Sequence, residues 1–91
     1  MDFVEKIGRP AALEQLAEEA SELAQAALKL SRYLREENPT PKSRRECEAN
    51  LVEEITDVEL CLSALGLEAD KELMEKKERR WEMRLKGWLR K

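Results

Sequence analysis

Two pairs of acidic residues have the types and the spacing that suit metal binding. Glu19 and Glu22 are three residues apart, and Glu54 and Asp57 repeat that spacing. Side chains three residues apart lie one turn apart on the same side of a helix. If two such helices face each other, the four carboxylates converge, and their mutual repulsion calls for a multivalent cation. Carboxylate oxygens together with retained water suit Mg²⁺ or Mn²⁺.

The position of each acid relative to the apolar stripe of its helix bears on this possibility. At about 100° per residue, Glu54 falls inside the apolar sector and Asp57 at its edge, whereas Glu19 and Glu22 flank the stripe of their own helix. A carboxylate within an apolar stripe is costly unless something pairs with it. Besides a metal ion, the pattern leaves open that these acids pair with Lys or Arg or reach water.

A basic group accompanies the acids near the end of the chain. Lys77 lies close to the apolar stripe of the last predicted helix, with Arg80 and Arg84 beside it. Cations at the edge of a core have two possible roles. They either neutralise the acids in a salt-bridge network or bind phosphate oxygens while the acids bind the metal.

Composition excludes several other kinds of chemistry. The 91 residues include no His, so no imidazole serves as base, nucleophile or ligand, and the net charge of −3 argues against nucleic-acid binding. No apolar run is long enough for a membrane span, and no signal-peptide pattern is present. Cys47 and Cys61 lie too far apart on one predicted helix to form a disulfide. We expect a cytoplasmic protein whose cysteines are small buried residues.

The chain reads as helix almost throughout, since Ala, Leu, Glu, Lys and Arg dominate and alternating β-branched runs are missing. Gly8 separates a short N-terminal turn from the first long helix, Ser43 is a predicted N-cap, and Gly66 is a predicted terminator. We predict a single all-α domain spanning residues 1–91, a small helical bundle with a turn at residues 2–7, long helices at 10–35, 43–65 and 69–89, and a proline-containing loop at 38–41.

Each long helix carries an apolar stripe that needs a partner. The predicted stripes are Leu13, Leu16, Ala20, Leu23, Ala27, Leu30 and Leu34; Leu51, Ile55, Val58, Leu62 and Leu65; and Leu73, Met74, Trp81, Leu85 and Trp88. Three helices bury such stripes only partly, so we expect a homodimer or homotetramer that completes a four-helix-type core. In that interpretation Trp81 and Trp88 belong to the core or to an interface.

Three segments resemble the motifs of a known family. Residues 16–26, which contain Glu19 and Glu22, resemble the first motif of the MazG-like, all-α nucleotide pyrophosphohydrolases. Residues 53–60, which contain Glu54 and Asp57, resemble the second motif. Residues 77–81 resemble the basic segment that follows in short, often phage- or prophage-associated members. The resemblance extends over almost the whole chain.

This resemblance implies a Mg²⁺-dependent hydrolase, for which Mn²⁺ is a possible substitute, that converts a (deoxy)nucleoside triphosphate to the monophosphate and pyrophosphate. It implies Glu19, Glu22, Glu54 and Asp57 as metal ligands. Glu22 or Glu54 would activate the attacking water. Lys77 and Arg80 would contact the phosphates. Two alternatives remain: a non-catalytic helical-bundle module that binds a partner helix, and a family member that binds nucleotide without turnover.

Overall fold

The chain folds into helices in the computed structural model, which describes residues 2–36 and 42–89. The regular elements of these residues are α1 (Phe3–Ile7), α2 (Arg9–Arg35), α3 (Arg44–Leu65) and α4 (Lys71–Leu89). The predicted all-α class is therefore confirmed. The loop predicted at residues 38–41 lies outside the described residues. No helix within the described ranges has both the length and the apolar character needed to cross a bilayer.

The boundaries of α2 and α3 follow from local backbone chemistry. Gly8 separates α1 from α2 with a φ of +86°, a conformation that side chains disfavour, and Pro10 lies in the first turn of α2, where its missing N–H costs nothing. Ser43 caps α3, since its Oγ accepts a hydrogen bond from the Glu46 N–H at 3.2 Å. At the other end of α3, Gly66 adopts the left-handed conformation, with a φ of +71°.

The start of α4 differs slightly from the prediction. The helix begins at Lys71 rather than at residue 69, because the Asp70 side chain accepts a hydrogen bond from the Leu73 N–H at 2.9 Å. An Asp at this position satisfies a backbone donor that the first turn leaves unpaired. Asp70 therefore acts as the N-cap that the sequence analysis did not assign.

Helices α2 and α3 pack side by side and form the centre of the molecule. The positions of α2 that face α3 are spaced alternately by four and three residues, as are those of α3, which is the pattern of a coiled-coil seam. We call these buried or half-buried positions the seam: Ala12, Leu16, Glu19, Leu23, Ala26, Leu30 and Tyr33 on α2, and Cys47, Leu51, Glu54, Val58, Cys61 and Leu65 on α3. Both cysteines are free and buried, as predicted.

Part of the predicted apolar stripes lies outside this seam. Leu13 and Leu34 on α2 and Ile55 on α3 are exposed, with 41%, 53% and 41% of their surface accessible. On both helices the contact is centred one residue N-terminal to these positions, so Ala12, Tyr33 and Glu54 turn inward instead. The stripe of α4 is exposed as well. Ala12 is smaller than the exposed Leu13, but Tyr33 and Glu54 are not small, so residue size alone does not set the register.

The molecule is a thin layer rather than a closed bundle. Its extents are 51 × 39 × 18 Å, and the fully buried side chains among the described residues are small, apart from Leu65. Short α1 packs across α2 and α3 at one end, whereas α4 contacts none of the other helices. Over most of their length, α2 and α3 are covered by no third helix of the described residues and enclose no interior. The α2–α3 seam therefore supplies most of the burial within the chain.

The N-cap of α3 allows a direct test of how local hydrogen bonds set the helix ends. We expect Ser43→Ala to lower the free energy of unfolding by about 1 kcal/mol, because the substitution leaves the Glu46 N–H without its partner. Ser63→Ala, at an exposed position inside the same helix, should leave stability unchanged or raise it slightly. Urea unfolding followed by circular dichroism measures both. Equal effects of the two substitutions would contradict the assignment of Ser43 as the cap.

Candidate metal centre

Three of the four predicted metal ligands come together between α2 and α3. One carboxylate oxygen from each of Glu19, Glu22 and Glu54 lies within 4.8 Å of the other two. Glu19 and Glu22 are one turn apart on α2, and Glu54 reaches them from the facing helix. Two oxygens that each lie roughly 2.1 Å from one Mg²⁺ are at most about 4.2 Å apart, so the three carboxylates are close to the spacing that a shared cation requires. The convergence expected of facing acid pairs is thus present for these three residues.

Glu19 occupies the seam itself rather than its edge. Its Oε1 accepts a hydrogen bond from the Gln15 Nε2 at 2.8 Å, which orients the carboxylate toward α3. Its Oε2 is buried and has no hydrogen-bond partner. An acceptor shielded from water without a partner is unfavourable, and more so when it is charged. The seam therefore carries an unsatisfied oxygen at this point.

Glu54 repeats this situation on the other helix. Its Oε2 is also buried and has no hydrogen-bond partner. The neighbouring Glu53 is exposed to solvent, as the helical periodicity predicts. Two unsatisfied carboxylate oxygens thus meet across the α2–α3 contact, where an apolar pair would pack at lower cost.

Charge repulsion in the cluster affects the ionisation of Glu19. The Gln15 hydrogen bond acts to lower the pKa of Glu19, but burial and the negative charges of Glu22 and Asp57 outweigh it, and the pKa lies above the ordinary value of 4.5. Burial, Glu19 and Asp57 likewise raise the pKa of the Cys61 thiol. Cys61 is therefore a neutral thiol beside the acids at neutral pH. A divalent cation would offset the repulsion that these shifts report.

Asp57, the fourth predicted ligand, lies next to the three-carboxylate group. It is half-buried and lines a cleft of about 290 Å³ together with Glu19, beneath α1. The other residues lining the cleft are Phe3, Ile7, Gln15, Leu60 and Cys61. Sequence reasoning did not find Gln15, although its position four residues before Glu19 on one helix was the available signal. It also did not predict that α1 forms one wall of the cleft.

The predicted phosphate contacts lie elsewhere. Lys77 and Arg80 are exposed on α4, which does not contact α2 or α3. The structure therefore groups the acidic residues within one chain and leaves these basic residues apart from them. Their assignment as phosphate contacts stays a prediction.

Salt bridges do not account for the two unsatisfied oxygens. In the described part of the chain, an ion pair joins Lys6 of α1 to Asp2, which precedes that helix, at 3.9 Å, and another joins Arg44 to Glu48 within α3 at 2.9 Å; all four residues are exposed. Neither pair involves the cluster. Since no donor of the described residues reaches Glu19 Oε2 or Glu54 Oε2, the donor set fits a hard divalent cation better than a protein salt bridge.

Comparison with protein-family models, curated proteins and solved structures finds no match for this chain.

Removing the charge from the seam should stabilise the metal-free protein. We expect Glu54→Leu to raise the free energy of unfolding in chelator by on the order of 1 kcal/mol, because an unsatisfied buried carboxylate is replaced by a side chain that packs in the seam. Glu53→Leu, at the adjacent exposed position, should change it by less than about 0.5 kcal/mol. Urea unfolding measures both. A destabilised Glu54→Leu protein would contradict the placement of an unpaired carboxylate there.

The raised pKa of Glu19 predicts a pH dependence of stability. The folded state binds this proton more tightly than the unfolded chain, so the stabilisation from protonation is complete below the unfolded pKa and is lost as pH rises through the folded pKa. Between about pH 4.5 and about pH 7.5 in chelator, the wild-type protein should therefore lose more stability than Glu19→Gln. Thermal unfolding at several pH values compares them. Parallel pH profiles for the two proteins would refute the assignment.

Proposed function

We propose that this chain is a Mg²⁺-dependent nucleoside triphosphate pyrophosphohydrolase that converts a (deoxy)nucleoside triphosphate to the monophosphate and pyrophosphate. The observation that carries the proposal is the convergence of Glu19, Glu22 and Glu54 within 4.8 Å, with a buried, unpartnered oxygen on each of the two seam residues. The order and spacing of the acidic motifs, which resemble those of the MazG-like enzymes, support the same chemistry.

Glu19, Glu22 and Glu54 would hold the cation, with Asp57 completing the set from the adjoining cleft. A bound Mg²⁺ or Mn²⁺ would neutralise phosphate oxygens and offset the charge that develops on the leaving pyrophosphate. Carboxylate donors suit either of these ions. The chain has no His and both of its thiols are buried, so the donor set fits zinc poorly.

Besides holding the cation, residues of the cluster have further tasks in this proposal. Glu22 is exposed, so its carboxylate meets solvent and can orient or deprotonate an attacking water, whereas Glu54 is half-buried and is better suited to binding. The Gln15 amide holds Glu19 in place. The cleft beneath α1 offers an apolar wall, including Phe3, at a site directly beside the acids. The base or sugar of the nucleotide would lie against this wall.

A non-catalytic helical module is the second candidate function. It is favoured by one observation, the exposed apolar stripe of α4, because such a stripe suits a partner helix. The two functions differ in what they require of the acids. A module tolerates substitution of Glu19, Glu22 and Glu54, whereas the hydrolase depends on them.

Product analysis tests the proposal. We expect the protein to release pyrophosphate and monophosphate from at least one member of a panel of canonical and modified nucleoside triphosphates in Mg²⁺ or Mn²⁺, and to release none in chelator. Glu54→Gln should lower the rate by roughly 100-fold or more, because it removes a charged ligand at unchanged side-chain size. Glu53→Gln, at the neighbouring exposed position, should retain the wild-type rate.

Release of orthophosphate and a diphosphate would show cleavage at the other anhydride bond and would contradict the proposal. A panel that yields no pyrophosphate, with Glu54→Gln as well folded as the wild type, would transfer support to the binding module. Metal-dependent thermal stabilisation without turnover would instead favour a protein that binds nucleotide but does not hydrolyse it.

A further inference from the structure

The cleft beneath α1 has no basic side chain among the described residues of its wall. Glu19 and Asp57 are the charged side chains that line it, and the other lining residues are neutral. Lys6, the basic residue of α1, does not line the cleft and pairs with Asp2. A phosphate group placed in the cleft would therefore meet two carboxylates and no opposite charge.

This charge pattern orients a bound nucleotide. Glu19 belongs both to the cleft and to the three-carboxylate group, so the cleft adjoins the candidate cation site. Phosphates would be attracted to the cation and repelled from the cleft, whereas an uncharged base carries no such penalty. The cleft volume of about 290 Å³ is at the lower end for ligand cavities and suits one base better than a whole nucleotide. The base therefore belongs in the cleft, with the phosphates toward the exposed side chain of Glu22.

The unpaired polar atoms of the cleft wall are mainly hydrogen-bond acceptors. Gln15 donates from its Nε2 to Glu19, and its Oε1 accepts no hydrogen bond from the described residues. The Asp57 carboxylate also has no hydrogen-bond or ion-pair partner among them. The donors that remain are the second N–H of the Gln15 amide and the weak S–H of Cys61. Because hydrogen bonds to a charged group are roughly twice as strong as those between neutral groups, the carboxylate dominates recognition.

Nucleobases differ in what they offer to such acceptors. The exocyclic amino group of cytosine, adenine or guanine carries two N–H donors, which can serve two acceptors at once. Uracil, thymine and hypoxanthine have only carbonyl oxygens outside the ring, and such an oxygen would lie beside a carboxylate. A site that hydrogen-bonds one group rejects an analogue that lacks it, since the polar atoms of the site then stay unpaired.

We propose that the cleft beneath α1 selects nucleotides whose base carries an exocyclic amino group, with Asp57 and the Gln15 Oε1 as the recognising acceptors. The inference rests on the proposed function, because it takes the cation site as the place of the phosphates. Asp57 has a second oxygen for the base when its first binds the cation. Half-buried Phe3 adds an aromatic ring to the wall, and stacking on such a ring tolerates every base. The acceptors therefore discriminate between bases, and the ring adds affinity for all of them.

Binding of the product monophosphates tests the inference without turnover. The ¹⁵N-labelled full chain is titrated in Mg²⁺ with the monophosphates of cytidine, uridine, adenosine and inosine, and NMR follows the side-chain amide of Gln15. The cytidine nucleotide should bind about 10-fold more tightly than the uridine nucleotide, as expected for an additional hydrogen bond to a charged group. The adenosine nucleotide should exceed the inosine nucleotide by a similar factor. The kcat/KM values of the matching triphosphates should follow the same order.

Three variants locate the source of the preference. Leu60→Lys adds a cation to the cleft wall at a partly exposed position, so carbonyl oxygens gain a partner and the preference for amino bases should disappear. Leu28→Lys, at an exposed position of α2 outside the cleft, should retain the wild-type preference. Phe3→Ala should weaken all four monophosphates alike and leave the preference unchanged. Circular dichroism checks that each variant keeps its helices.

Four outcomes would overturn the inference: no binding of any monophosphate up to about 10 mM, equal binding within each pair, a preference that survives Leu60→Lys, and binding that leaves the Gln15 amide signals unmoved. Pyrophosphate release from triphosphates without an amino preference would refute this inference and retain the proposed function. Selective binding of amino bases without pyrophosphate release would retain the inference and count against the hydrolase.

Discussion

The repulsion between unpaired carboxylates inside the α2–α3 seam is the constraint on which the rest of the structure depends. Glu19 and Glu54 occupy positions where leucine or alanine would pack more favourably, and each retains a buried oxygen without a donor. This arrangement lowers the free energy of unfolding, and a seam selected for stability alone would avoid it. A divalent cation between the helices would convert that cost into binding energy. In the function we propose, the acids form a cation site for which the chain gives up stability.

The thin shape of the molecule explains why the acid cluster is open to a cleft and to solvent. Helix α1 is too short to enclose the α2–α3 pair and instead walls one side of the acid cluster, leaving a cleft that reaches Glu19 and Asp57. The exposed side chain of Glu22 keeps the cluster in contact with solvent. A thicker bundle would bury these acids completely and exclude a polar ligand. The same thinness leaves Leu13, Ile55 and the large apolar residues of α4 exposed.

Much of the helix layout followed from sequence because its causes are local. Gly8, Ser43 and Gly66 act through their own backbone and nearest neighbours, and all three mark helix ends where the sequence indicated. The seam register was less accessible, because the choice between Ala12 and Leu13 depends on how closely two helices approach. Ala12 permits a close approach, whereas Tyr33 and Glu54 also turn inward, so the register is set only when the partner helix is in place.

The candidate site likewise has features with local causes and features that depend on packing between helices. The periodicity of α3 placed Glu54 inside its apolar sector, and the structure agrees. Glu19 lies deeper than predicted, since the contact side of α2 keeps Leu16, Leu23 and Leu30 but takes residue 19 in place of residue 20. The hydrogen bond from Gln15 to Glu19 had a local signal in its four-residue spacing, whereas the contribution of α1 depends on packing between helices distant in sequence. The separation of Lys77 from the acids could not have been foreseen either, because no local signal shows whether an amphipathic helix packs on its own chain or on another.

Anomalous X-ray diffraction from crystals grown with Mn²⁺ tests the central claim most directly. We expect one strong peak between Glu19, Glu22 and Glu54, with carboxylate oxygens roughly 2.1 Å from it. Crystals of Glu54→Gln grown under the same conditions should show a much weaker peak or none. If the wild-type crystals show no peak, and Glu19 and Glu54 turn apart to bind water or basic side chains, the seam carboxylates are not a metal site.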